Sequence, residues 1–304
     1  MINSKQILAG LVLGFVSIFF ISAQAGEITP YGAFNYKFSH DENSSGVAYN
    51  KLQDNGSKIG IDLIEPSIDG SSLGAFAKLE VGVDTDDAAS DTFDSRLAYV
   101  GLSHSAGSFS VGRQSHPFTD NVGGKTAIFN VYGSNADQSY ASRSSQSLAF
   151  STSLSNISVD TLAIVDGSSS NTDAFDEFEG TVSATLLGSD ISVGYADDVN
   201  NDITYYGVGA TSVVGPITLG TSYTVKDNAG STADVTGIEA TASISLFTVG
   251  YQDLESTGSY YTLGVAKDLT PSVKVYAEGQ MNDLDTGTDT QSWSLGAKYS
   301  FLQL

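Results

Sequence analysis

The sequence predicts an all-β protein, a 16-stranded antiparallel transmembrane β-barrel, and three observations carry that prediction. A single apolar run, Ile7 to Ile21, follows Lys5 and ends in the small-residue site Ala23-x-Ala25, the pattern of a secretory signal peptide. Behind it, no apolar run reaches the ~18 residues of a helical membrane span. The rest of the chain instead repeats short segments of alternating apolar and polar residues, separated by Gly, Asp, Asn and Ser. That is the pattern of barrel strands with one face in lipid and the other in water.

Residues 1–25 are therefore expected to be removed near Ala25/Gly26, leaving 26–304 as one barrel domain of an outer membrane. A retained anchor is the alternative, and the shortness of the apolar run argues against it. Loss of 1–25 removes Lys5 and no acid, so the net charge of −22 becomes −23. Such an excess of carboxylates argues against nucleic acid and against attachment to anionic lipid through basic residues. Cysteine is absent, so the fold must close without disulfides. A barrel does so by pairing its first strand with its last. The 5 prolines among 304 residues suit a continuous ladder, because proline donates no hydrogen bond to one. Mean hydropathy near zero (−0.03) fits strands that are half polar.

The strands are expected, in order, at 27–38, 56–65, 72–83, 94–104, 107–115, 143–154, 156–165 and 177–188, then at 190–197, 202–214, 216–226, 234–245, 246–254, 258–267, 272–282 and 290–301. Each has a length compatible with the ~9–11 residues of a tilted crossing, and their number is even, as bacterial barrels require. Their connections alternate, with a longer turn at 65–71 as the exception. Short turns fall at Ser105-Ala106, Ser155, Ser189, Gly215 and Leu246, and longer ones at 39–55, 84–93, 116–142, 166–176, 198–201, 227–233, 255–257 and 283–289. Short periplasmic turns and long external loops produce this alternation. A secreted β-sandwich is the competing fold, but its inner faces would have to interlock as a core. Here Leu148, Phe150 and Leu154 alternate with Ser147, Ala149, Ser151 and Ser153, one face lipid-compatible and the other small and polar. Tyr36, Phe38, Tyr99, Phe109, Tyr223 and Tyr251 are candidates for interfacial aromatic girdles.

Between Asn55 and Phe118 four segments follow one another: Lys58-Ile-Gly60-Ile, Phe76-Ala-Lys-Leu-Glu80, Arg96-Leu-Ala-Tyr-Val-Gly101-Leu and Gly107-Ser-Phe109-Ser-Val-Gly112-Arg113. Together with Tyr31-Gly32 they resemble the general diffusion porins of Gram-negative bacteria. The resemblance implies a trimer of 16-stranded barrels with water-filled pores, each narrowed by a third external loop that folds inward. The longest connection, 116–142, suits that loop, since Ala127, Ile128, Phe129, Val131 and Tyr132 would rest better on a wall than in bulk water.

Strand parity gives a separate argument for a basic wall. If Ile59, Leu97 and Phe150 face lipid, then Lys58, Arg96 and Arg143 face the lumen, because charges in hydrocarbon cost ~2–4 kcal/mol each near the midplane. These three match the family's basic cluster at the constriction. Lys37, Lys78 and Glu80 share the inward parity, and Asp120, Lys125 and Asp137 are the ionisable groups of the inward loop. Two departures from the family stand out. Ala127 and Val131 occupy places where carboxylates are usual, and Phe301, the usual terminal signal, is followed by Leu302-Gln303-Leu304. Arg113 has outward parity, and the resemblance places it at the subunit contact, where it is expected to pair with an acid of 84–94 across that contact with a neighbouring subunit.

The function expected is passive diffusion of small hydrophilic solutes and ions, by steric sieving and local charge. The acid-rich mouths, Asp84, Asp86, Asp87 and Asp91 in one loop and Asp283, Asp285 and Asp289 in another, favour cations and loose divalent bridging to lipopolysaccharide. Alternatives are a plugged structural or adhesive barrel, or a solute-selective porin. An enzyme would need a nucleophile, base and orienting group in reach. His40, His104 and His116 read as surface residues, and no serine sits in a nucleophile motif. No cofactor and no metal site is expected. Asp84-x-Asp86-Asp87 lacks the Gly turn and terminal Glu of a dedicated calcium loop.

Overall fold

The computed structural model describes residues 26–43, 45–66, 71–84, 86, 92–165, 175–230 and 232–301. The leader 1–25, Asp87, Asp91 and the last three residues lie outside the described residues. The chain runs through β1 (Glu27–Glu42), β2 (Ala48–Asp54), β3 (Lys58–Glu65), β4 (Gly74–Val83), β5 (Phe93–His104) and β6 (Gly107–Ser115). A short helix α1 (Pro117–Asn121) and a 3-10 turn (Gly123–Lys125) follow. Then come β7 (Arg143–Leu154), β8 (Ile157–Ile164), β9 (Glu177–Leu186), β10 (Ser189–Asp198), β11 (Ile203–Val214) and β12 (Ile217–Asp227). The last five are β13 (Val235–Ile244), β14 (Phe247–Leu254), β15 (Gly258–Thr270), β16 (Val273–Leu284) and β17 (Thr290–Phe301).

Each segment pairs antiparallel with its sequence neighbour, and β1 closes the ring by pairing with β17 from Gly32↔Phe301 to His40↔Trp293. The seam is dressed by Phe34 against Phe301 (ring centroids 5.9 Å apart) and Phe38 against Trp293 (5.7 Å). Both β2 and β3 pair with β1, through Tyr36↔Asp54 and Ala33↔Lys58. They are two parts of one barrel strand, so the wall has sixteen. The break has a local cause. The Asp54 carboxylate accepts the backbone N–H groups of Gly56 (2.8 Å) and Ser57 (2.9 Å), and Gly56 takes φ +84°. This is an Asx turn, which takes those donors out of the ladder. The sequence expectation left 39–55 as loop; β1 in fact continues to Glu42 and β2 occupies 48–54. A second correction concerns the turn expected at Ser189. It falls at Leu187-Gly188, both with positive φ (53° and 83°), the requirement of a tight two-residue hairpin.

The outer surface carries the apolar alternation: Phe34, Val100, Leu102, Phe109, Leu148, Phe150, Val193, Val208, Leu263 and Leu295 are all exposed. In water such a coat would be an aggregation surface; in a bilayer it is the solvated face. The interior is not a packed core. The cluster of buried apolar side chains holds Phe118, Val122, Ala196 and Tyr205, and it lies where α1 leans on β10 and β11. Most other buried side chains are polar, among them Glu80, Glu177, Glu179, Glu239, Gln252 and Glu278.

Candidate functional site

The wall of β3–β5 carries the basic strip. Glu80 projects from β4 and is 3% exposed. Its carboxylate pairs with Lys58 Nζ at 2.9 Å and Arg96 Nε at 2.6 Å, and accepts the Tyr31 hydroxyl at 3.0 Å. Lys78 pairs with Asp62 at 3.0 Å and its ammonium lies 4.7 Å from the centre of the Tyr31 ring. Arg143 lines the same recess as Lys58, Lys78 and Arg96, without an ion pair among the described residues. Four cations thus stand against two carboxylates, Asp62 and Glu80, a local surplus of two positive charges. Lys37 lies on the inner face of β1 with Asn35 and Ser39, opposite Gln53.

Arg96 reaches this strip by a route that simple alternation misreads. Leu97 and Tyr99 stand opposite Glu80 and Lys78 and line the bore, and the Tyr99 ring meets Phe76 edge-on at 6.3 Å. Both were expected to face lipid, with Tyr99 in a girdle; the outward residues are Val100 and Leu102. Glu80 pairs with Leu97 while Val81 pairs with Ser95, so Arg96 is the extra residue of a β-bulge. The bulge turns its side chain inward beside its neighbour Leu97. A comparable irregularity separates Gly112 from Gln114 opposite Gln146 (φ 56°), so parity counted from Leu148 does not carry through to Arg143. Arg113 opposes outward-facing Ala98, and within the chain it bonds to the Ser95 carbonyl (3.1 Å) and Ser145 Oγ (3.2 Å).

The segment between β6 and β7 is fastened to the inner face of the opposite wall. The N–H groups of Asn130, Val131 and Tyr132 donate to the Glu278 carboxylate at 2.6, 2.8 and 3.2 Å. Thr126 Oγ1 and the Ala136 N–H donate to Glu239, Asn135 bonds Gln252, and the Gln138 N–H donates to Thr224 Oγ1. Two wall carboxylates, Glu239 and Glu278, thus hold the loop backbone. Lys125 pairs with Asp190 at 2.5 Å. Asp120 borders the bore in a recess shared with Lys78 and Asp160, and Asn121 holds Asp160 at 3.1 Å. Asp137 is tucked behind the loop beside Gly123, bonded by Ser139 at 3.2 Å. Burial raises its pKa to about 6.

Two features escaped the sequence reading. The first is a file of inward glycines, Gly194, Gly207, Gly209, Gly220, Gly237, Gly250 and Gly264, on β10–β15. A methyl at Gly194 would meet Phe118 at 2.7 Å, one at Gly209 the Val122 carbonyl at 2.5 Å, and one at Gly250 the Phe129 ring at 2.6 Å. At Gly220 and Gly237 it would land on the carbonyls of Lys125 and Ala136. The glycines clear the track on which the loop lies; their signal was Gly at the inward register of strands otherwise filled by Thr and Ser. The second is His116. It was expected at the surface, yet it is 0% exposed, bonded to Glu179 (3.1 Å) and Ser144 (2.8 Å) with Glu177 at 3.5 Å. Burial lowers its pKa, but the two carboxylates outweigh this and raise it to about 9.

A closed barrel with a greasy coat, a polar bore and a loop laid across that bore defines a transmembrane channel. The family model for the Gram-negative porins matches residues 10–302, and the chain belongs to that family of passive outer-membrane diffusion channels. The fold is similar to that of an anion-selective porin from Comamonas acidovorans (TM-score 0.77, 16% identity, 90% of this chain and 99% of that one). It is equally similar to OmpF of Salmonella typhi in a complex with daunomycin (TM-score 0.77, 17% identity, 92% and 99%). OmpT, an outer membrane protein of Vibrio cholerae, aligns with a TM-score of 0.73 at 16% identity over 92% and 99%. No curated protein sequence matches the chain significantly.

Proposed function

We propose that solutes cross between the Lys58–Lys78–Arg96–Arg143 strip and the loop segment that begins at Asp120. The observation that carries this reading is that two recesses of the bore meet at Lys78, Leu97 and Ser115, one holding the strip and the other Asp120 and Asp160. Charges of opposite sign in adjoining stretches of a bore orient a dipolar solute and let small ions pass close to fixed partners. Selection is by size and charge, without bond-making, so the barrel acts as a channel and not as an enzyme. The mouths carry the acid surplus that gives the mature chain its −23, which raises the local cation concentration within a Debye length of ~8 Å. The net preference is for cations. The assembly is a homotrimer in which the outward Arg113 edge meets a neighbour, and divalent ions tie the external aspartates to lipopolysaccharide. Planar-bilayer conductance tests the channel: discrete ohmic steps in salt, reduced by Asp120→Arg, support it, and a barrel that passes no current supports a plugged structural protein instead.

A further inference from the structure

We propose that His116, Glu177 and Glu179 form a binding site for one divalent first-row metal ion, with Zn²⁺ or Mn²⁺ as the fitting class. The nitrogen and one oxygen from each carboxylate all lie within 4.8 Å of one another, and all three side chains are buried. Glu177 and Glu179 are brought together because residues two apart on a strand share a face, here the inner face of β9, while Phe178 points outward. His116 is delivered from the far side, where β6 gives way to α1.

The independent sign of a ligand is Glu177. It is 0% exposed, and neither of its carboxylate oxygens has a hydrogen-bond partner. His116 Nδ1 lies 3.5 Å away but directs its bond to Glu179 Oε2 at 3.1 Å. A fully buried carboxylate whose one near donor is a shared imidazole at 3.5 Å is costly unless a further cation satisfies it. The neighbours add negative charge and do not relieve it: Asp198 is buried close by and takes its bonds from Asn201. The imidazole is oriented as a ligand should be, because its other nitrogen, Nε2, bonds Ser144 Oγ at 2.8 Å. Ser144 Oγ can accept the Nε2 proton and hold the ring in place, while a bound ion would displace the Nδ1 proton now shared with Glu179. An ion about 2.1 Å from each donor would hold them about 3.4 Å apart, and His116 Nδ1 already stands 3.5 and 3.1 Å from the two carboxylates. One nitrogen with carboxylate oxygens suits Zn²⁺ or Mn²⁺ better than Ca²⁺, which takes oxygen alone.

Bound there, the ion would clamp the start of the loop to β9, where the Glu179 carboxylate already receives the Phe118 N–H at 3.4 Å. The test is metal retention by the detergent-extracted full barrel. Protein loaded with Zn²⁺ or Mn²⁺ is dialysed, and the metal per chain is counted by mass spectrometry. Glu177→Gln and His116→Gln serve as site variants and Asp283→Asn as an external-acid control. The expected result is one ion per chain in the wild type and the control, with at least a tenfold loss of affinity in both site variants. X-ray absorption of the loaded wild type should show one imidazole nitrogen among oxygens, a readout that needs no variant to fold. No retained ion, equal retention by the site variants, or an all-oxygen shell overturns the proposal.

Discussion

Replacing Glu80 by Gln keeps the side chain's shape and removes one negative charge from the centre of the basic strip. The carboxylate holds Lys58 at 2.9 Å and Arg96 at 2.6 Å, so the strip goes from four cations and two carboxylates to four and one. The local surplus rises from two positive charges to three. One unit charge acts on an ion ~8 Å away in water with ~0.5 kcal/mol before screening. A Debye length of ~8 Å reduces this to ~0.2 kcal/mol. The added charge attracts anions and repels cations, so the permeability ratio moves by twice that energy, about two- to fivefold toward anions. Stability falls as well. Breaking a buried pair costs ~3–5 kcal/mol, but Lys58 and Arg96 keep contact with lumen water (32% and 21% exposed), so about 1–3 kcal/mol is expected. The reversal potential across a planar bilayer in a salt gradient reads the first effect, and thermal unfolding reads the second. A reversal potential that stays put, or moves toward cations, would refute the placement of Glu80 in the conducting path.

Four further outcomes follow from the same geometry. The wild-type reversal potential should have the sign of cation preference and shrink as salt rises, because the mouth charges are screened; a preference insensitive to salt would remove the mouths from the mechanism. Gly250→Val should push the Phe129 ring off its seat and change single-channel conductance with the barrel's circular dichroism intact, whereas unchanged conductance would mean the loop does not border the path. Asp137 titrates near 6, above its ordinary 3.8, so its ionisation opposes the folded state, and stability falls as pH rises through that window. Asp137→Asn should therefore stabilise by about 1–3 kcal/mol near pH 8 and by nothing near pH 4; equal melting shifts at both would contradict the burial argument. Arg113→Ala should lower the temperature at which trimers dissociate in detergent, and an unaltered dissociation temperature would take Arg113 out of the contact.

The wall was legible in the sequence because lipid on one side and water on the other impose a period of two, and that period survives in strands such as 290–301, whose bounds the structure reproduces. What was not legible lies where the period breaks. The bulge at Arg96 inverts the parity of Leu97 and Tyr99, and nothing in the residue types announces it. The Asx turn at 54–57 hid β2, because Asn, Gly and Ser read equally well as the end of a loop. The seating of the loop was written in glycines, which give no apolar or polar signal. His116 read as a surface residue because its partners, Glu177 and Glu179, are some sixty positions away in the chain and reach it only through closure of the barrel.

The cysteine-free chain allows a direct test of the central claim, that a wet bore runs between the basic strip and the inward-lying loop. Single cysteines at Lys58, Arg143, Ile59 and Phe150 can be exposed to a charged, membrane-impermeant thiol reagent during bilayer recording. Stepwise changes in current at 58 and 143, with none at 59 and 150, are the predicted result. Modification that changes the current at Ile59 or Phe150 and leaves it unchanged at Lys58 and Arg143 would contradict the account.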